Sequence, residues 1–98
     1  MSSPITFSAT ALLDARRAYL WYDMQRPGLG RRFQDKLGEV LRVVARHPGT
    51  FPTVKGKFRQ APLPVFPYVV VYTERKADVL IMRIFHGKRD PRKKFNWQ

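Results

Sequence analysis

The 98-residue chain contains no cysteine, which excludes a disulfide framework, a thiolate zinc site and cysteine nucleophile chemistry, and fits a reducing cytoplasm. It is also short of acid: seven Asp and Glu stand against nineteen Lys and Arg, a formal net charge of +12. Those carboxylates are scattered, and the two histidines, His47 and His86, lie far apart, so no metal-ligand cluster is expected. Long apolar runs are missing too. The longest, Val65 to Tyr72, has a proline inside it, and no membrane span is expected. Met1 to Thr10 has neither a basic n-region nor an apolar h-region, which argues against a signal peptide. Pro27-Gly28-Leu29-Gly30 fits neither nucleotide-binding glycine fingerprint, and no cofactor is expected. With no repeat, low-complexity tract or long linker, residues 1–98 read as one domain.

What the chain does have is enough apolar and aromatic content, 44% and 13%, to build a small core rather than a disordered polyelectrolyte. Its charge attracts phosphate backbones, anionic lipid or an acidic protein partner. The excess is uneven. Residues 1–49 carry eight basic and four acidic side chains, and residues 50–98 carry eleven and three, so a polyanion is expected on the second half.

Ile5 to Ser8 reads as a short strand with Ser8 as a helix N-cap. From Ala9 to Gln25, Leu12, Ala15, Tyr19 and Tyr22 recur at spacings of three and four, which predicts a helix with those residues inward. Arg26-Pro27-Gly28 stops it. A second helix is predicted from Leu29 to Arg46, with Phe33, Leu37, Val40, Leu41 and Val44 on its inner stripe, ended by His47-Pro48-Gly49. So short a connection predicts an antiparallel helical hairpin. The period then drops to two: Val54, Gly56 and Phe58 alternate with Lys55, Lys57 and Arg59. Phe66 to Thr73 and Val79 to Phe85 read as strands around a polar turn at Glu74–Asp78. The expected fold is α+β, β-α-α-β-β-β, with the helical hairpin packed on a small, mostly antiparallel sheet.

Candidate functional residues lie in the basic half. On one strand face, Lys55, Lys57 and Arg59 would form a cationic row opposite Val54, Gly56 and Phe58. Such a row suits a phosphate backbone, or equally a solvated edge strand. His86, beside Lys88 and Arg89, suits a general acid or base or a structural histidine, and by alternation it shares a face with Met82 and Ile84. His47 reads as structural. Arg92, Lys93 and Lys94 complete the basic cluster, and Phe95 and Trp97 offer rings for base stacking or for a tail folded over the sheet.

Taken in order, Trp21-Tyr22-Asp23, Pro27-Gly28-Leu29-Gly30 with Phe33, His47-Pro48, Phe51-Pro52, Phe58-Arg59, Phe66-Pro67-Tyr68 with Tyr72, and His86 with Arg89-Asp90-Pro91 resemble the RelE/ParE superfamily of bacterial toxins. The resemblance implies the toxin of a type II toxin–antitoxin module, cytoplasmic and held inactive by a cognate antitoxin. Its basic surface, Lys55, Lys57, Arg59, Lys88, Arg89, Arg92, Lys93 and Lys94, would bind nucleic acid or that antitoxin. ParE-like members poison DNA gyrase. RelE-like members cut messenger RNA on the ribosome without a metal, and on that pattern Lys55, Lys57 and Arg59 would hold phosphate, with Arg59, His86 and Arg89 as catalytic residues. The tail carries Phe95 and Trp97 where ribosome-dependent members often place a tyrosine, Tyr68 and Tyr72 read as core, and the helical hairpin looks closer to ParE. The expected function is therefore gyrase poisoning, with ribosome-dependent mRNA cleavage as the alternative and a non-toxic basic RNA-binding module behind both.

Overall fold

The computed structural model describes residues 2–88. Its elements run β1 (Ile5–Phe7), α1 (Ala9–Gln25), α2 (Leu29–Arg46), β2 (Thr53–Lys55), β3 (Phe58–Pro62), β4 (Tyr68–Glu74) and β5 (Val79–His86). The five strands form one sheet in the order β1-β5-β4-β3-β2. β2 to β5 make an antiparallel meander, and β1 joins it parallel to β5, with Ile5 opposite Val79. The expected order thus holds with one strand added. The alternating stretch around Gly56 is two strands and a turn, because Gly56 sits at φ +55°, a left-handed conformation that reverses the chain at little cost only in glycine.

Local chemistry sets the helix ends. The Ser8 hydroxyl accepts from Ala11 N at 3.0 Å and donates to the Met82 carbonyl at 2.9 Å, so one side chain caps α1 and ties it to β5. Between the helices, Gly28 takes φ +90°, and an Asp23 carboxylate oxygen accepts from Gly28 N and Gly30 N at 3.0 and 3.2 Å. A Cβ on Gly30 would lie 2.7 Å from the Tyr19 carbonyl; glycine here is what lets the helices approach so closely. Within α2 the inner stripe is as predicted: Phe33, Leu37, Val40 and Val44 are buried and Leu41 is half-buried.

The helices pack on one side of the sheet, against Ala61, Tyr68, Val70, Tyr72, Val79, Ile81 and Ile84. Tyr22, Phe33, Phe66 and Tyr68 form its aromatic centre, with ring centroids 4.8–5.9 Å apart. A smaller cluster, Val69, Val71 and Phe85 with Phe58 and Met82, lies on the other side. β5 carries a bulge: Val71 faces Arg83 while Tyr72 faces Ile81, which leaves Met82 as an extra residue. The bulge switches parity, so Val79 and Ile81 before it share the helix side with Ile84 and His86 after it.

β5 is also where α1 closes an open edge. Past the short β1, the Ile84 N–H donates to an Asp14 carboxylate oxygen at 2.9 Å, and Arg83 donates to the same carboxylate at 2.7 and 3.2 Å. A strand edge that would otherwise offer itself for pairing is thereby occupied. At the far end of β3, Phe66 N donates to the Pro64 carbonyl at 2.8 Å across Val65, which sits at φ +71°. This γ-turn, of the rarer positive-φ kind, explains why β4 begins at Tyr68 rather than at Phe66.

Candidate functional site

The sheet disperses the basic row expected from sequence. Lys55 is exposed on β2, and Lys57 is exposed in the turn after it. Arg59, on β3, is half-buried and already engaged: its Nε donates to Glu74 at 2.9 Å and a terminal nitrogen donates to the Phe51 carbonyl at 2.7 Å. A single-strand face holding all three is therefore corrected to a hairpin with a structural arginine behind it. Val54 and Gly56, expected in the core, are exposed for the same reason. Tyr68 and Tyr72 are buried as expected. The Tyr72 hydroxyl donates to the Pro48 carbonyl, and burial pushes its pKa up to about 12.

His86 ends β5 on the helix side, half-buried, with its ring 5.4 Å from that of Tyr68. Its Nδ1 accepts from Lys88 N at 3.1 Å, which fixes the turn that follows; Lys88 itself is exposed. Arg59 faces Tyr72 and His86 faces Tyr68, so four residues of offset and two strand spacings put their Cα atoms about 16 Å apart. Arg59 and His86 are not brought together. Arg89, Arg92, Lys93 and Lys94, with Phe95 and Trp97, lie outside the described residues. Among the described residues no group of three His, Asp or Glu side chains is placed to hold a metal ion, and none of the helices is long and apolar enough to cross a membrane.

The most distinctive surface is one that the helical periodicity concealed. The buried side of α1 is made of small residues, Ala11 and Ala18, with Tyr22 beyond them. Leu12, expected inward, is 57% exposed, and Tyr19 is only half-buried. Alanine wins because it lets the helix lie close on β5, and the larger side chains are turned outward as a result. Leu13, Leu20, Trp21 and Met24 are exposed with Leu12, Met24 to 83%. Leu12 and Leu20, with Arg16 between them, line an open groove of about 510 Å³ whose other wall is Phe33, Gln34 and Leu37 of α2. Five large apolar side chains spread over the outward half of one helix leave more apolar surface uncovered than a single exposed leucine would. The available signal was that apolar residues of α1 are not confined to one stripe.

The helical pair is also basic, with Arg16 inside the groove itself. Arg16, Arg17, Arg26, Arg31, Arg32, Arg42 and Arg46 are exposed on the helical pair. Its carboxylates are largely committed: Asp14 to Arg83, Asp23 to the turn, Asp35 to Arg31 and Glu39 to Lys36. The arrangement suits an amphipathic partner with an apolar ridge and acidic flanks.

Comparison with known proteins agrees with this architecture. The family model of the ParE toxin of type II toxin–antitoxin systems matches residues 5–91. A chain in a solved structure of the chromosomal ParDE toxin–antitoxin system from P. aeruginosa is similar in fold, with a TM-score of 0.76 over 87% of this chain and 96% of that one, at 15% sequence identity. No curated protein matches the chain.

Proposed function

This chain belongs to the ParE toxin family of type II toxin–antitoxin systems, and from that premise we propose that it arrests growth by poisoning DNA gyrase until a cognate antitoxin covers it. The observation that carries the reading is the outward apolar face of α1. A toxin must be capped by its antitoxin, and Leu12, Leu20, Trp21 and Met24 with the arginines of the helical pair provide a surface made for capping. Covering the apolar area that these side chains still expose is favourable, and tryptophan is a frequent interface hot spot. The antitoxin would lay the apolar side of a helix into the α1–α2 groove and set carboxylates beside Arg16 and Arg17.

The choice of gyrase over the ribosome is supported by how Arg59 and His86 are placed. Arg59 is committed to Glu74 and the Phe51 carbonyl, and His86 lies at the other end of the sheet. Phosphodiester cleavage needs a proton carrier and a charge stabiliser converging on one phosphate. The separation of these two side chains favours inhibition by binding over ribosome-dependent cleavage. A gyrase-directed toxin works in the cytoplasm and needs no cofactor of its own.

Purified protein added to gyrase, relaxed plasmid and ATP should block supercoiling and accumulate cleaved DNA, and a cognate antitoxin should reverse both. Trp21→Ala should weaken antitoxin binding while leaving the fold intact by circular dichroism. Messages cut at codon positions in cells with intact chromosomes would refute the gyrase reading.

A further inference from the structure

One end of the sheet carries two hairpin tips side by side. The β2–β3 chain reverses at Gly56–Lys57 and the β4–β5 chain at Arg75–Asp78, and register makes them neighbours: Phe58 faces Thr73, and the Thr73 hydroxyl donates to the Lys57 carbonyl at 3.3 Å. Both carboxylates at this end are already satisfied from within. Glu74 takes Arg59 at 2.9 Å; Asp78 takes Arg75 on both oxygens at 2.6 Å and the Thr6 hydroxyl at 2.6 Å. The Arg75 guanidinium accordingly holds the Asp78 carboxyl near a pKa of about 2. Lys57 on one tip and Lys76 on the other are exposed.

We propose that the paired tips, through Lys57 and Lys76, grip the phosphate backbone of duplex DNA. The inference rests on the gyrase reading and deepens it, since a poison seated on gyrase then contacts the enzyme's DNA as well as the enzyme. Two protruding turns with internally neutralised acids suit a backbone better than a base edge. They offer point charges and no planar fork for reading sequence. The tips are built from the sheet, whereas the apolar face belongs to α1 and α2, so DNA contact and antitoxin capping use different elements.

The test is fluorescence anisotropy with a labelled 20-base-pair duplex, titrated from 50 to 200 mM salt. Lys57→Glu with Lys76→Glu is compared with a charge-matched control, Arg42→Glu with Arg46→Glu on α2. The tip variant should lose at least about tenfold in affinity, and its log–log salt slope should fall by roughly 2, close to one per phosphate contact; the control should keep the wild-type slope. Equal losses in both variants, or none in either, would overturn the proposal. So would a tip variant that binds DNA normally but loses an acidic antitoxin. All four substituted residues are exposed, and circular dichroism checks their fold. Because the titration contains no gyrase, a wild-type protein that binds DNA through the tips yet leaves supercoiling untouched would sink the gyrase reading while supporting this contact.

Discussion

Removing the Asp14 carboxylate should cost more stability than any comparable surface change. Asp14 accepts three hydrogen bonds, two from Arg83 and one from the Ile84 backbone, and its side chain and that of Arg83 are only 10% and 17% exposed. Asp14→Ala strands a guanidinium against apolar neighbours and leaves an edge N–H without an acceptor. Breaking one partner of such a pair costs about 3–5 kcal/mol. A domain of this size holds roughly 5–15 kcal/mol in total, so the melting temperature should drop by about 15 °C or more. Urea denaturation followed by tryptophan fluorescence measures the loss directly. The double variant Asp14→Ala, Arg83→Met removes the stranded charge and should recover most of it, leaving a deficit of roughly 1–2 kcal/mol for the Ile84 N–H. If Asp14→Ala stays within about 0.5 kcal/mol of the wild type, or the double variant is no more stable than the single one, the account of α1 as the closure of β5 is wrong.

Gly30→Ala should destabilise by more than the usual helix preference would suggest, since its Cβ would meet the rigid Tyr19 carbonyl at 2.7 Å; thermal melts would show it, and a neutral or stabilising result would mean the helices separate freely. At Val65, φ +71° is strained for a β-branched residue, so Val65→Gly should leave stability unchanged or raise it by up to about 1 kcal/mol despite glycine's entropy, and a clear loss in urea would refute the strain. Tyr72 favours its neutral form in the folded state, with a pKa of about 12 against 10.0. Its contribution is therefore complete below pH 10 and drains as pH rises toward 12, by up to roughly 3 kcal/mol; in Tyr72→Phe that part of the alkaline slope should vanish.

The helical hairpin was readable in the sequence because two independent signals agree there. The stripe from Phe33 to Val44 has an unbroken helical period, and Pro27-Gly28 and Pro48-Gly49 mark the ends. The sheet was readable only in outline. Lys55-Gly56-Lys57 alternates like a strand, and only the left-handed backbone at Gly56 reveals a turn. An extra residue at Met82 exchanges faces within β5, which no two-residue pattern records. On α1 hydrophobic periodicity points Leu12 inward, whereas close approach to β5 selects Ala11 and Ala18 there and leaves Leu12 outside. Arg59 shows the same limit for function. A basic residue in a family-like position was legible, but its commitment to Glu74 and the Phe51 carbonyl depends on a loop brought in from the end of α2.

The placement of β1 has a consequence for when the sheet is completed. Among the described strands it pairs with β5 alone, more than seventy residues downstream, and β5 in turn lies between β1 and β4 in the sheet. A nascent chain therefore lacks the strand that joins β1 to the rest of this sheet until β5 has been made. Such long-range pairing forms slowly, so the two ends of the sheet are joined late in folding.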